Sequence, residues 1–220
     1  MLRKVVPPRP PTFTLEGPGV RLEPLSIAHV PDLVRAASGG RDTFALTFVP
    51  DGEVAMRAYV EAALAARDAG DAVPFVTFDK ALGRVVGSTR FGTLERWTWP
   101  ASSSDAPTAP DTLDAAEIGW TWLAPEAQRT RVNTEQKVLM LWHAFEAWRV
   151  HRITFITDAR NARSRAAIER LGASFEGVRR AHFPAADGTI RDSATYSILR
   201  AEWPVVFQHL ASRLGPIDPR

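Results

Sequence analysis

The 220-residue chain contains no cysteine. That excludes disulfides, thiolate metal sites and any acyl-cysteine intermediate, and it is consistent with a cytoplasmic protein. Lysine is scarce, limited to Lys4, Lys80 and Lys137, and tyrosine is limited to Tyr59 and Tyr196. No run approaches the roughly 18 apolar residues of a membrane span, so no membrane partner is expected. The N-terminal MLRKVVPPRPP carries charge but no apolar core, which argues against a secretory signal. Clustered basic charge is also missing. The formal net charge is +2, and Asp and Glu are interspersed among the arginines, so no specific nucleic-acid partner is expected.

What is present fits one large α/β (α+β) domain. Residues 1–12 are Pro-rich and read as a loose leader, with the domain proper over 13–214. Val20 to Leu25 predicts a strand, and Ser26 a cap for a helix reaching Ala37. Asp51 predicts the start of a second helix, with Val54, Tyr59, Val60 and Leu64 at helical spacing. Val73–Asp79 and Arg84–Leu94 form a hairpin around Lys80-Ala-Leu-Gly83. Residues 96–116 have no periodicity and read as a long mobile loop, in which Trp97 and Trp99 pack against the body. Glu117–Leu123 predicts a strand and Asn133–Trp148 a central helix. Asn133 and Gln136 match a capping box, and Val138, Leu141, Trp142, Phe145 and Trp148 form the buried stripe. A strand at Ile153–Thr157, a helix at Arg163–Leu171, a hairpin about Asp187-Gly188 and a last helix from Pro204 complete the chain.

The stretch from Leu123 to Leu141 is the most informative. A strand delivers the chain through a turn to a helix N-terminus, which leaves several N–H groups pointing outward. With the helix dipole they can hold a phosphate or pyrophosphate. The side chains of Arg129 and Arg131 are candidates to add direct phosphate contacts.

Four stretches then carry a resemblance: Ala116-Glu-Ile-Gly-Trp120, Gln128-Arg-Thr-Arg-Val-Asn-Thr-Glu135, Asn161-Ala-Arg-Ser-Arg-Ala-Ala-Ile-Glu-Arg-Leu-Gly172 and Asp187-Gly-Thr-Ile-Arg-Asp-Ser-Ala-Thr-Tyr-Ser197. In order and spacing they resemble the GNAT superfamily of acyl-CoA-dependent N-acetyltransferases, in particular its RimJ/RimL-like group. The resemblance implies a mixed central sheet with splayed middle strands and acetyl-CoA as cosubstrate, with no metal. It also implies coenzyme contacts from Trp122, Leu123, Gln128, Arg129, Thr130, Arg131, Val132, Asn133, Thr134, Asn161, Ser164 and Arg165. A backbone N–H near Trp122 or Leu123 would polarise the thioester carbonyl.

The loop departs from the family pattern, since Arg131 replaces its first glycine and Asn133 its small residue. Ile168 stands where many relatives carry a tyrosine acid, which leaves Tyr196 as the tyrosine candidate for proton donor. Glu117 is the candidate base and His182 a second one. The acceptor is a primary amine, either a protein N-terminus or a small molecule such as an antibiotic or polyamine. A non-catalytic acyl-CoA-binding module is the alternative of another class. Relatives are often dimers, so a homodimer is an expectation of the resemblance and of no residue in the chain.

Overall fold

The computed structural model describes residues 12–107 and 112–215. Eight strands form one sheet in the order β1-β2-β3-β4-β5-β6-β8-β7. These are β1 (Leu15–Glu16), β2 (Val20–Pro24), β3 (Val73–Asp79), β4 (Arg84–Glu95), β5 (Ala115–Leu123), β6 (Arg152–Asp158), β7 (Ser174–Pro184) and β8 (Ile190–Leu199). Five helices flank them: α1 (Val30–Ala37), α2 (Gly52–Asp68), α3 (Val132–Trp142), α4 (Ala162–Glu169) and α5 (Trp203–Leu214). The mixed sheet flanked by helices is the architecture the residue pattern predicts. The short β1 is an addition, and a 3-10 turn at Ile27–His29 leads from Ser26 into α1.

Side-chain contacts assign the helices to the two faces. Alternate residues of a strand point to opposite faces. Ser88 of β4 meets Tyr59 of α2, whereas Thr89 meets Lys137 and Met140 of α3. Helix α2, with α1 packed against it, therefore covers one face and α3 the other. Strands β3 and β4, covered on both, are buried almost continuously rather than alternately.

Helix α3 is the centre of the fold. Every residue from Glu135 to Leu141 is buried, and each large apolar side chain there stabilises by about 1.5–3 kcal/mol. Its polar members are bonded inward. The Glu135 carboxylate accepts from the main-chain N–H groups of Gly19 and Val20 at 2.6 and 3.0 Å, which fastens the β1–β2 turn to the helix. The side chains of Gly17 and Gly19 are missing for the same reason: an added Cβ would lie 2.7 and 2.9 Å from that carboxylate.

Two sequence expectations change here. Helix α3 starts at Val132, not Asn133, and no capping box forms. The Thr130 hydroxyl accepts from the Val132 N–H at 3.2 Å, while Asn133 accepts from the Gln136 side chain within the first turn. The helix also gives way at His143–Ala147 to a π-helical turn instead of running straight to Trp148. Val138, Leu141 and Phe145 are buried as expected, and Trp142 and Trp148 pack partly buried against the core.

The base of the 96–116 segment is fastened to the body. Trp97 N–H and Trp99 Nε1 donate to the buried Asp114 carboxylate at 2.6 and 2.8 Å, and both rings pack on His151. The Pro-rich stretch before Thr12 lies outside the described residues.

Candidate active site

The sheet is interrupted in one place. Strands β5 and β6 are its one parallel pair, and they are joined only at Ala115–Arg152, Ala116–Ile153 and Glu117–Thr154. Beyond Glu117 they separate, so the β6-facing edge of Ile118–Leu123 has no strand partner. A bulge sharpens the divergence. On β4, Ser88 and Arg90 face Trp122 and Gly119 of β5, which leaves one extra residue on β5 with Trp120 at φ +50°. An open strand edge inside a sheet is costly unless something extended lies along it. A split of this kind suits a linear, hydrogen-bonding ligand.

The split leads to the turn before α3. Pro125–Ala127 forms a 3-10 turn, and the positive φ of the loop falls on Arg129, at +61°. Arg131, which stands where the family has glycine, is helical with φ −68° and needs no left-handed conformation. Main-chain N–H groups of Arg129, Thr130, Arg131, Asn133 and Thr134 find no acceptor among the described residues. The Val132 amide alone is taken, by Thr130. These amides sit at the positive end of the α3 dipole, so the loop can hold a doubly charged diphosphate through its backbone.

The side chains of the loop look inward. Gln128 Nε2 donates to Leu123 O at 2.9 Å and Thr43 Oγ1 at 3.0 Å. The Arg131 guanidinium donates to Glu135 at 3.1 Å and to Leu214 O at 3.1 Å. At α4, Asn161 Oδ1 accepts from the Ser164 N–H at 3.0 Å and caps the helix. Arg163 reaches across to Thr43 O. Arg165 donates to Tyr196 at 2.8 Å and to Ala159 O.

The Tyr196 side chain is fully buried, and its hydroxyl donates to Glu169 Oε1 at 2.9 Å. Burial holds its pKa above the usual value, despite Arg165. The phenol hydroxyl is thus engaged by Arg165 and Glu169 at the α4–β8 contact.

Glu117 sits where the split opens. Burial raises its pKa to about 7, outweighing a 3.4 Å hydrogen bond from Thr93 and the fields of Arg191, Arg179 and Arg90. A carboxylate balanced near neutral pH can take a proton from an ammonium group. Gly119 keeps the space beside it open, because a Cβ there would come within 2.8 Å of the Glu117 carboxylate. His182 is held at 2.8 Å by Arg179 and stacked on Phe183, and burial followed by the neighbouring arginines lowers its pKa.

Two residues escaped the sequence reading. Lys137 is buried on α3, and its ammonium donates to Thr121 at 2.6 Å and Thr89 at 3.1 Å with no carboxylate beside it. Desolvation lowers its pKa to about 7. It underpins the strand bulge from the α3 side. The signal was available: a lysine stands directly before the apolar run Val138–Leu141, on a helix buried from Glu135 to Leu141. Arg90 is the other, buried between the rings of Tyr59 and Trp120.

The family profile described as an acetyltransferase (GNAT) domain matches residues 20–174. The chain belongs to the GNAT acetyltransferases and is a GNAT N-acetyltransferase, a family whose members use acetyl-CoA. A GCN5-related N-acetyltransferase from Brucella melitensis is 30% identical, over 98% of this chain and 91% of its own, with a TM-score of 0.75. Mycobacterium smegmatis RimJ, in complex with CoA-disulfide, shares the fold at 21% identity, over 94% and 95% of the two chains, with a TM-score of 0.73. Ribosomal-protein-S5-alanine acetyltransferase from Vibrio fischeri shares it at 16%, over 87% and 98%, with a TM-score of 0.66. Comparison with curated proteins gives no match. Among the described residues no group of His, Asp or Glu is arranged to hold a metal ion, and no helix is long and apolar enough to cross a membrane.

Proposed function

We propose that this chain transfers the acetyl group of acetyl-CoA to the amine at a protein N-terminus, by direct attack within a ternary complex. The observation that carries the proposal is the alignment of three features along β5: unpaired loop amides, an unpaired strand edge and a carboxylate poised near neutrality. Bound acetyl-CoA supplies an activated thioester. The amides of Arg129 to Thr134 would hold its diphosphate, with Asn161 and Ser164 of α4 beside its arm.

The edge of β5 near Trp122 and Leu123 would keep the acyl carbonyl in line and offer it a fixed N–H donor, so no donor has to reorganise as charge develops. Glu117 would accept the proton of the incoming ammonium, directly or through water. With no cysteine in the chain and Tyr196 buried in its own contacts, no covalent enzyme intermediate is invoked and the thiolate leaves unaided. The peptide acceptor is supported by likeness in fold to RimJ and to the S5-alanine enzyme.

The test is mass spectrometry of cell extract incubated with the purified protein and isotopically labelled acetyl-CoA. Label on protein N-termini is the expected result. Label confined to small amines would replace the acceptor class. No label from a protein that still binds acetyl-CoA would favour a sensing module.

A further inference from the structure

The face of the sheet that carries Glu117 has an unusual charge balance. Arg90 of β4, Arg179 of β7 and Arg191 of β8 all act on the Glu117 carboxylate. Among the described residues none of the three has a carboxylate within salt-bridge distance. Arg90 is only 8% exposed, its guanidinium lies 4.8 Å from the Trp120 ring centre and 5.3 Å from that of Tyr59, and its Nε has no hydrogen-bond partner. Arg191 donates Nε to the Ser193 hydroxyl at 3.0 Å and stacks on Phe183. Burial lowers its pKa, a penalty that Asp158 and Glu117 offset only in part. Arg179 meets His182.

The carboxylates nearby are already engaged. Asp158 is gripped by Arg160, and Glu176 by Arg152 and the Ser197 hydroxyl. Asp187 is held by Arg160 and Thr189. Glu117 is the carboxylate on which all three guanidinium groups act, and among the described residues none of the three forms a salt bridge.

Burying a guanidinium without a counter-ion, as at Arg90, is expensive, and a partner that brings negative charge recovers the cost. A cationic acceptor such as a polyamine brings more positive charge to this face. An acceptor with an acidic group near its amine brings the missing charge. The fork of an arginine also matches a carboxylate in two-point geometry, which a lysine ammonium does not. Exposed Trp120 closes one side of the face, and the β7–β8 turn meets the 41–49 segment across a cavity of about 230 Å³ lined by Phe44, Thr47, Phe48 and Ala186.

Resting on the reading of the chain as a transferase to N-terminal amines, we infer that the preferred acceptor carries a carboxylate within its first few residues, held by Arg191 with Arg90 and Arg179 while the amine faces Glu117. Charge in such a site acts mainly on encounter and on selection between acceptors.

The experiment uses octapeptides with N-terminal Ala followed by Glu, Gln or Lys at the second and third positions. Glutamate and putrescine serve as small acceptors, and acetyl-CoA consumption is followed at two ionic strengths. Expected is a kcat/KM about tenfold or more higher for the Glu peptide than for the Lys peptide, with Gln between and the ratio shrinking at high salt. Arg191→Gln should bring the Glu-to-Lys ratio close to one, and Arg191→Lys should keep part of it. Equal rates for the three peptides, or a preference for Lys or putrescine, would overturn the inference. Turnover of glutamate with inert peptides would sink the N-terminal reading while the acidic preference stands. If nothing is turned over although acetyl-CoA binds, both fail.

Discussion

The two halves of the sheet, on either side of the β5–β6 split, are built to different rules. Strands β3 and β4 are buried along most of their length under helices on both faces, and even a lysine is enclosed with them. Strand β7, at the other end, is exposed at most positions, with Phe175, Val178 and Phe183 each about half exposed and Arg179 and Arg180 open to solvent. One half is a platform whose rigidity fixes where β5 ends. The other presents charge to whatever approaches Glu117. Stability should reside in the first half and acceptor choice in the second.

The hardest break is at the boundary between them. Glu117→Gln should lower kcat by about 10²–10³-fold, in the range expected for loss of a general base, while acetyl-CoA affinity by calorimetry stays within about twofold. In the wild type the carboxylate must be deprotonated to act, so kcat/KM, which reports the free enzyme, should climb through an inflection near pH 7, the value to which burial raises Glu117, and level off above it. The inflection should vanish in the variant. Unchanged turnover would remove Glu117 from the chemistry.

The next prediction separates the halves by stability. Leu139 is 1% exposed at the centre of α3, and Val178 is 47% exposed on β7. Leu139→Ala should cost about 2–5 kcal/mol in denaturant unfolding, and Val178→Ala within about 0.5 kcal/mol. Equal losses would mean that the open half is covered by something in solution, a second copy being the simplest cover.

These differences bear on how much the residues alone disclose. The order of elements and the strand–turn–helix at α3 follow from periodicity and turn signals, because each is local, while the split between β5 and β6 is implied only by the resemblance to the family. Long-range placement does not follow from local signals. That Tyr196 spends its hydroxyl on Glu169 and Arg165, or that Arg131 turns to Glu135 and the end of α5, depends on residues distant in sequence. The position of the loop's left-handed residue is hidden for a related reason. Arg131 occupies the family's glycine position, yet the preceding 3-10 turn moves the positive φ to Arg129.

Lys137 sharpens the comparison further. Its pKa is lowered by burial to about 7, below that of a lysine in an unfolded chain. Between pH 7 and the unfolded value the unfolded chain binds the extra proton, so stability should rise with pH through that window, with a slope of up to about 1.4 kcal/mol per unit. Below pH 7 the penalty is complete and flat. Lys137→Met should lose this slope, because a thioether does not titrate, and Thr89 and Thr121 can still bond each other at 2.7 Å. Unfolding by urea at pH 7 and pH 9 measures it, and the same slope in both proteins would show that Lys137 is charged in the fold.

The smallest effect concerns the amide cradle. Arg129 holds φ +61°, a region that costs an L-residue roughly 1–2 kcal/mol and glycine almost nothing. Arg129→Gly should therefore stabilise the fold, but by less than that strain, since glycine also gives the unfolded chain more freedom to lose; a net gain of about 0.5 kcal/mol is expected. If the diphosphate is held by main-chain N–H groups, acetyl-CoA affinity should stay within about threefold of the wild type. A loss of ten-fold or more would assign the grip to the Arg129 guanidinium instead. It would then place the charge that recognises coenzyme on a side chain, and the family's glycine-rich backbone solution would have been replaced here by arginine.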